Sequence, residues 1–204
     1  MGNNYHYYQE NQEGLHSNPT SFDFNFRNEH FKFHTDDGVF SKNYIDYGSF
    51  VLLKNFQPND IAGPILDMGA GYGPIGIVLS RLYSKEVHMC EINERAFCLL
   101  NHNIIENEIS KVVAYHSNLF DELDKDLKFS SIVTNPPIRA GKQVVYAIYD
   151  GAYERLLEHG ELWVVIQKKQ GAPSSKEYLT ALFGNCEIIA RDKGYYILKS
   201  VKQS

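Results

Sequence analysis

The chain has 204 residues, 43% of them apolar, and a formal net charge of −5. That length suits one ordinary domain with a sizeable core and leaves too little chain for two. The acidic balance argues against a protein that coats nucleic acid nonspecifically, although local basic patches remain open to it.

Residues 1–20 are polar, rich in Asn, Gln and Tyr, and predict a flexible arm. A single domain is expected over residues 21–204, opening with a hairpin and a helix within 21–60. Phe22, Phe24 and Phe26, then Phe31 and Phe33, alternate with period two and predict a β-hairpin turning at residues 27–30. Residues 46–56 have helical spacing, with Phe50, Leu53 and Phe56 on one side. From Gly63 onward the pattern alternates. Strands are predicted at 65–66 (ending at Asp67), 87–91, 112–116, 131–134 and 162–166. Helices are predicted at 75–82, 96–105, 144–157 and 176–183. Two last strands, 187–190 and 195–198, are joined by an Asp192-Lys193-Gly194 turn too short for a crossover. The expected fold is α/β and Rossmann-like: a seven-stranded, mostly parallel sheet covered on both faces, with an antiparallel C-terminal hairpin.

Residues 65–76 read ILDMGAGYGPIG. A buried strand ends in Asp67, and Gly69, Gly71 and Gly73 follow at alternate positions around Ala70 and Tyr72. Such residues let the backbone turn sharply and a ligand approach closely. The helix that follows offers free N–H groups. Residues 71–76 also spell G-x-G-x-x-G, so a nicotinamide or flavin enzyme is the natural rival. Three features count against it. The glycines begin two residues too early, Asp67 suits a cationic or amine-bearing ligand better than a pyrophosphate, and Pro74 removes an N–H from the phosphate cradle. Glu91, followed by Ile92, ends the next strand, where a carboxylate can accept both ribose hydroxyls of an adenosine. Asn118, followed by Leu119, lies just past the third strand, either facing the adenine amino group or serving as an ordinary turn residue.

Residues 132–138 read IVTNPPI. Two prolines make the backbone rigid and extended. The Asn135 side-chain oxygen and the Pro136 carbonyl can then accept the two hydrogens of a base amino group, which is otherwise a poor nucleophile. A plain strand-ending turn is the alternative. Arg139, Lys142, Lys168, Lys169 and Lys42 are candidate phosphate contacts around a flipped base, or else solvated loop charge. Phe40 and Tyr44 are candidates to cover the cofactor or stack on a base, with core packing the alternative. The Tyr195-Tyr196 pair reads as sheet packing. His34, His88 and His116 lie in strand patterns, and no metal site is expected. Cys90, Cys98 and Cys186 lack metal-ligand spacing and read as free thiols in a reducing compartment. No apolar run reaches membrane-spanning length and no signal-peptide core is present, so a cytoplasmic location without a membrane partner is expected.

Taken together, ILDMGAGYG, Glu91 and TNPPI resemble class I amino-group methyltransferases. The segments GVFSKNYIDYGSFVLL (38–53), NPPIRAGKQVV (135–145) and VIQKKQGAP (165–173) resemble the catalytic domain of the ribosomal RNA small subunit methyltransferase C family, over roughly residues 20–200. The resemblance implies S-adenosyl-L-methionine as cofactor and methylation of guanine N2 in ribosomal RNA or a small-subunit particle. It implies a cofactor site of Asp67, Gly69, Ala70, Gly71, Gly73, Glu91, Ile92, Asn118, Leu119 and Asn135, and a catalytic segment of Asn135, Pro136, Pro137 and Ile138. Ile138 stands where many amino methyltransferases carry an aromatic residue, so it offers only an apolar face. A protein-glutamine N-methyltransferase needs the same acceptor geometry. A nicotinamide-dependent oxidoreductase and a non-catalytic ribosome-assembly factor complete the alternatives.

Overall fold

The computed structural model describes residues 18–37, 39 and 44–203. The first seventeen residues and the candidates Phe40 and Lys42 lie outside the described residues. Strands β1 (Thr20–Phe26) and β2 (Glu29–Thr35) form the expected hairpin. Its turn is tighter than predicted. Arg27 and Asn28 carry it alone, with φ of 48° and 65°, and two residues at positive φ match the twist of the flanking strands. Thr20 already pairs with Thr35, so the hairpin begins inside the expected arm.

The remaining elements run α1 (Tyr47–Asn55), β3 (Ile65–Met68), α2 (Pro74–Tyr83), β4 (Val87–Glu91), α3 (Glu94–Glu106) and β5 (Val112–His116). Then come β6 (Phe129–Thr134), α4 (Lys142–Arg155), β7 (Leu156–Gln167), α5 (Ala172–Phe183), β8 (Glu187–Asp192) and β9 (Tyr195–Val201). They build one seven-stranded sheet in the order β5-β4-β3-β6-β7-β9-β8. β9 runs antiparallel to both its neighbours and the other pairings are parallel. The predicted fold class is therefore the observed one.

Central strands are buried on both faces, as parallel strands under helices must be. On β7, Trp163 and Val165 join the core that holds Phe33, Leu52 and Ile77. Their neighbours Leu162 and Val164 join the core around Tyr149 and Phe183 on the other face. Two helices differ from the prediction. α4 ends at Arg155, and β7 begins at once because Leu156 pairs with Phe129. α5 begins at Ala172, with Gly171 in the left-handed region as N-cap and a proline in its first turn, where the missing N–H costs nothing.

A two-stranded hairpin is marginal alone. Here the free edge of β2 is covered by amides from α3. Asn103 Oδ1 accepts from His34 N at 2.7 Å while its Nδ2 donates to His34 O at 3.0 Å. Asn107, one turn on, does the same for Lys32 at 2.9 and 2.8 Å. Each side chain supplies the pair of bonds that a neighbouring strand would supply. Asn103 Nδ2 also donates to Tyr72 O at 2.9 Å, which ties the hairpin to the glycine loop.

Candidate active site

Between β3 and α2 the chain passes Gly69, Gly71 and Gly73 at φ of 75°, 59° and 98°. The three serve different ends. A Cβ added at Gly69 or Gly71 would meet no protein atom within 4 Å, and both residues line a cavity of about 380 Å³. A Cβ at Gly73 would come within 2.8 Å of the Ile77 side-chain end and closer still to that of Leu100, so both would have to shift, and φ of 98° itself favours glycine. The cavity has the size of small-ligand sites. It opens at the carboxyl ends of β3, β4 and β6, where open α/β sheets bind ligands.

Of the sequence candidates, Gly69, Ala70, Gly71, Glu91, Ile92, Leu119, Asn135, Pro136, Pro137, Ile138 and Arg139 line this cavity. Asp67, Gly73, Asn118, Lys142, Lys168 and Lys169 do not. Asn118 is exposed beyond the end of β5. Lys142 lays its ammonium over the Tyr146 ring of its own helix at 5.1 Å. Lys168 and Lys169 are exposed in a single 3-10 turn after β7, and Gln167 and Gln170 flank them on the cavity side. A period of three points residues three apart the same way, so the turn chose the glutamines over the lysines. Tyr195, read as sheet packing, also lines the cavity from the start of β9, opposite Gln167. Tyr44 is 68% exposed.

Asp67 corrects the sequence reading. It is fully buried beneath the loop, and its Oδ2 accepts from Gly76 N at 2.8 Å. It therefore holds a helix N-terminal N–H and shapes the loop from below, and it does not line the cavity. Burial foremost, helped by the Glu91 charge and opposed by the Gly76 N–H, pushes its carboxyl up to about 7. The folded value lies above the ordinary 3.8, so folding takes up a proton between the two values. The resulting stability is complete below the ordinary value and is lost as pH rises through 7. Thermal unfolding from pH 5 to 8 is expected to show Tm falling with pH, and falling less steeply in Asp67→Asn. Parallel curves for the two proteins would refute the assignment.

Glu91 has both carboxylate oxygens anchored. Oε2 accepts from Gly71 N and Oε1 from Asn93 N, each at 2.7 Å. Each oxygen keeps a lone pair for a ligand hydroxyl. Burial raises its pKa, against the pull of these N–H groups. Ile92 and Leu119 add apolar wall beside it. The Ser117 hydroxyl donates to the Leu119 carbonyl at 2.9 Å and steadies that turn.

Asn135 is held by a contact invisible in the sequence. Its Nδ2 donates to Asp46 Oδ1 at 3.0 Å and to Ser49 Oγ at 3.1 Å. Asp46 is the N-cap of α1, and the same Oδ1 accepts from Ser49 N at 3.1 Å. An oxygen that accepts a backbone N–H requires the NH₂ end of the amide, so the Asn135 oxygen is left outside this network. Burial raises the Asp46 pKa most strongly, with the Ser49 and Asn135 bonds opposing. The Pro136 carbonyl accepts from Ile138 N at 2.8 Å around Pro137, at φ −74° and ψ 79°. That is an inverse γ-turn, and it leaves one carbonyl lone pair free.

Among the described residues, no helix is long and apolar enough to cross a membrane. The methyltransferase small domain family matches residues 30–199. An uncharacterised Bacillus subtilis protein, YbxB, is 48% identical over 198 residues, which is 97% of this chain and 98% of its own. Ribosomal RNA small subunit methyltransferase C of Vibrio cholerae is 29% identical over 170 residues, covering 81% of this chain and 48% of its own. This chain thus spans about half the length of that relative. A solved 16S rRNA N2 methyltransferase from T. thermophilus, in complex with AdoMet and guanosine, has a TM-score of 0.82 at 27% identity, covering 91% of this chain and 51% of that one. The glycine loop and the Asn-Pro-Pro segment meet at one cavity, and the family match spans most of the sequence: the chain belongs to the methyltransferase small domain family.

Proposed function

We propose that this protein is an S-adenosyl-L-methionine-dependent methyltransferase acting on the exocyclic amino group of a base in RNA, with guanine N2 of ribosomal RNA as the leading acceptor. One observation carries the reading. Asp46 and Ser49 occupy the Asn135 NH₂, which leaves its oxygen free to accept, and Asn135 and Pro136, with its half-free carbonyl, both line the cavity.

The residues present fit the cofactor. Gly69 and Gly71 leave open space on the cavity side, where any side chain would intrude. Glu91 offers two acceptor oxygens for a ribose diol, and Ile92 and Leu119 offer an apolar surface for a purine. Bound there, S-adenosyl-L-methionine supplies a methyl group on a sulfonium centre.

The acceptor side needs a nitrogen whose lone pair is withdrawn from its ring. The Asn135 oxygen and the Pro136 carbonyl each take one amino hydrogen, which fixes the nitrogen and turns its lone pair outward. The gain comes from orientation and from dipoles set before the reaction. Ile138 packs an apolar face against the base. Arg139 reaches a phosphate at the rim, with Lys142, Lys168 and Lys169 as outlying phosphate contacts. Gln167, Gln170 and Tyr195 meet the base from the opposite wall. Support for RNA comes from the ribosomal RNA methyltransferases among the relatives and from the guanosine in the T. thermophilus complex.

Incubation with tritiated S-adenosylmethionine and ribosomal RNA or small subunits from a strain lacking the protein is expected to label RNA. Nucleoside digestion should place the label in N2-methylguanosine. Label in protein glutamine instead of RNA, or in a different nucleoside, would overturn the assignment.

A further inference from the structure

His34 on β2 and His102 and Glu106 on α3 lie apart from the cavity, and none of them lines it. His102 and Glu106 are one helical turn apart and share a face. One ligand atom from each of the three lies within 4.8 Å of the others. The two imidazoles meet edge to face with centroids 4.4 Å apart. His34 Nε2 is buried and has no hydrogen-bond partner, while Glu106 Oε2 stands 3.7 Å away. Lys32 Nζ lies 3.4 Å from the other oxygen, Oε1, and so orients the carboxylate with Oε2 toward His34.

We propose that His34, His102 and Glu106 bind a divalent transition-metal ion, Zn²⁺ foremost, which fastens the N-terminal hairpin to α3. Two imidazoles and one carboxylate are borderline donors that suit Zn²⁺, with water completing the shell. Bonds of about 2.1 Å place the donor atoms roughly 3.4 Å apart, so the cluster must contract by about an ångström. The exposed side chains of His102 and Glu106 can rotate to do so. The His34 nitrogen, which has no hydrogen bond and stands 3.7 Å from Glu106 Oε2, gains a direct bond to the ion. The backbone of His34 is already bonded to Asn103, whose amide also holds the Tyr72 carbonyl. An ion here therefore reinforces the same joint that carries the hairpin to the glycine loop.

The test uses the full chain, freed of metal by chelation, with ZnCl₂ as the only addition. Competition against a chromophoric chelator is expected to show one tight equivalent per chain, and saturation to raise Tm by about 5 °C. His102→Ala and Glu106→Gln should each weaken binding at least tenfold and remove the Tm response, with the metal-free Tm little changed because both residues are exposed. Cys98→Ser, one turn before His102, should keep both. The proposal fails if wild type shows no zinc-dependent shift, as a simple His34–Glu106 ion pair would give. It fails equally if both ligand variants respond like wild type, or if Cys98→Ser alone loses the response.

Discussion

Asn135→Ala is expected to lower the single-turnover rate of methyl transfer by about 10²–10³-fold, the range for losing one preorganised hydrogen-bonding group at a reacting centre. Affinity for S-adenosylhomocysteine should change little, because the Asn135 oxygen serves the incoming amino group and Glu91 and the glycine loop hold the cofactor. The Asp46 contact gives this prediction a sharper form. Asn135→Asp would set a second carboxylate about 3.0 Å from Asp46 Oδ1. Two carboxylates so close, one of them buried, cannot both ionise readily. The variant should lose rate although an acceptor oxygen is still present. Adding Asp46→Asn restores one amide facing one carboxylate, with the donor on the other side; because one Asp46 oxygen meets both Asn135 and Ser49 N, the NH₂ that turns to the introduced carboxylate gives up the cap bond to Ser49 N. The exchanged pair should recover at least tenfold over Asn135→Asp alone. Wild type, Asn135→Asp, Asp46→Asn and the exchanged pair form a double-mutant cycle. If the exchanged pair is no faster than Asn135→Asp, Asp46 does not position Asn135.

Glu91→Gln is expected to weaken cofactor binding by about 10²-fold, despite the near-identical shape. The carboxylate accepts at both ends, from Gly71 N and from Asn93 N. A glutamine must turn its NH₂ toward one of those N–H groups and lose that bond, and it then offers a single acceptor to the ribose. Hydrogen bonds to a charged group contribute roughly 1.5–3 kcal/mol each. Losing the equivalent of one to two of them is about 3 kcal/mol, or two decades of affinity. Calorimetry with S-adenosylhomocysteine measures it directly. Single-turnover rates at saturating cofactor should fall far less than in Asn135→Ala. Wild-type affinity in Glu91→Gln would remove Glu91 from the ribose role. A rate loss equal to that of Asn135→Ala would refute the division of labour between the two loops.

Much of this protein is legible in its local sequence. The alternating phenylalanines predicted the hairpin, and the spacing of apolar runs predicted the order of strands and helices. The short Asp192-Lys193-Gly194 link forced the last two strands to pair antiparallel. The glycine signature was legible because backbone freedom is a property of the residue itself, whereas the prolines, read as extended, form an inverse γ-turn at Pro137 that runs into a 3-10 turn over Ile138–Ala140. Gly69 and Gly71 sit at positive φ on the cavity side, and Pro136 and Pro137 make the tight turn after β6.

Only tertiary structure decided which side chains face the cavity. Asp67 looked like a ligand contact, but β3 is central and its end is roofed by the glycine loop, so the carboxylate turned to a helix N–H instead. Asp46 looked like an ordinary helix start, yet its partner Asn135 lies 89 residues further along the chain. Gln167, Gln170 and Tyr195 reach the site through the register of β7 with β9 and the 3-10 turn that follows β7. The histidines of the proposed zinc site are split between β2 and α3, so no local spacing announced them. The physical reason is common to all four. Propensity and periodicity act over a few residues, whereas the direction of a polar side chain at a strand end or helix cap is set by whichever distant element packs against it.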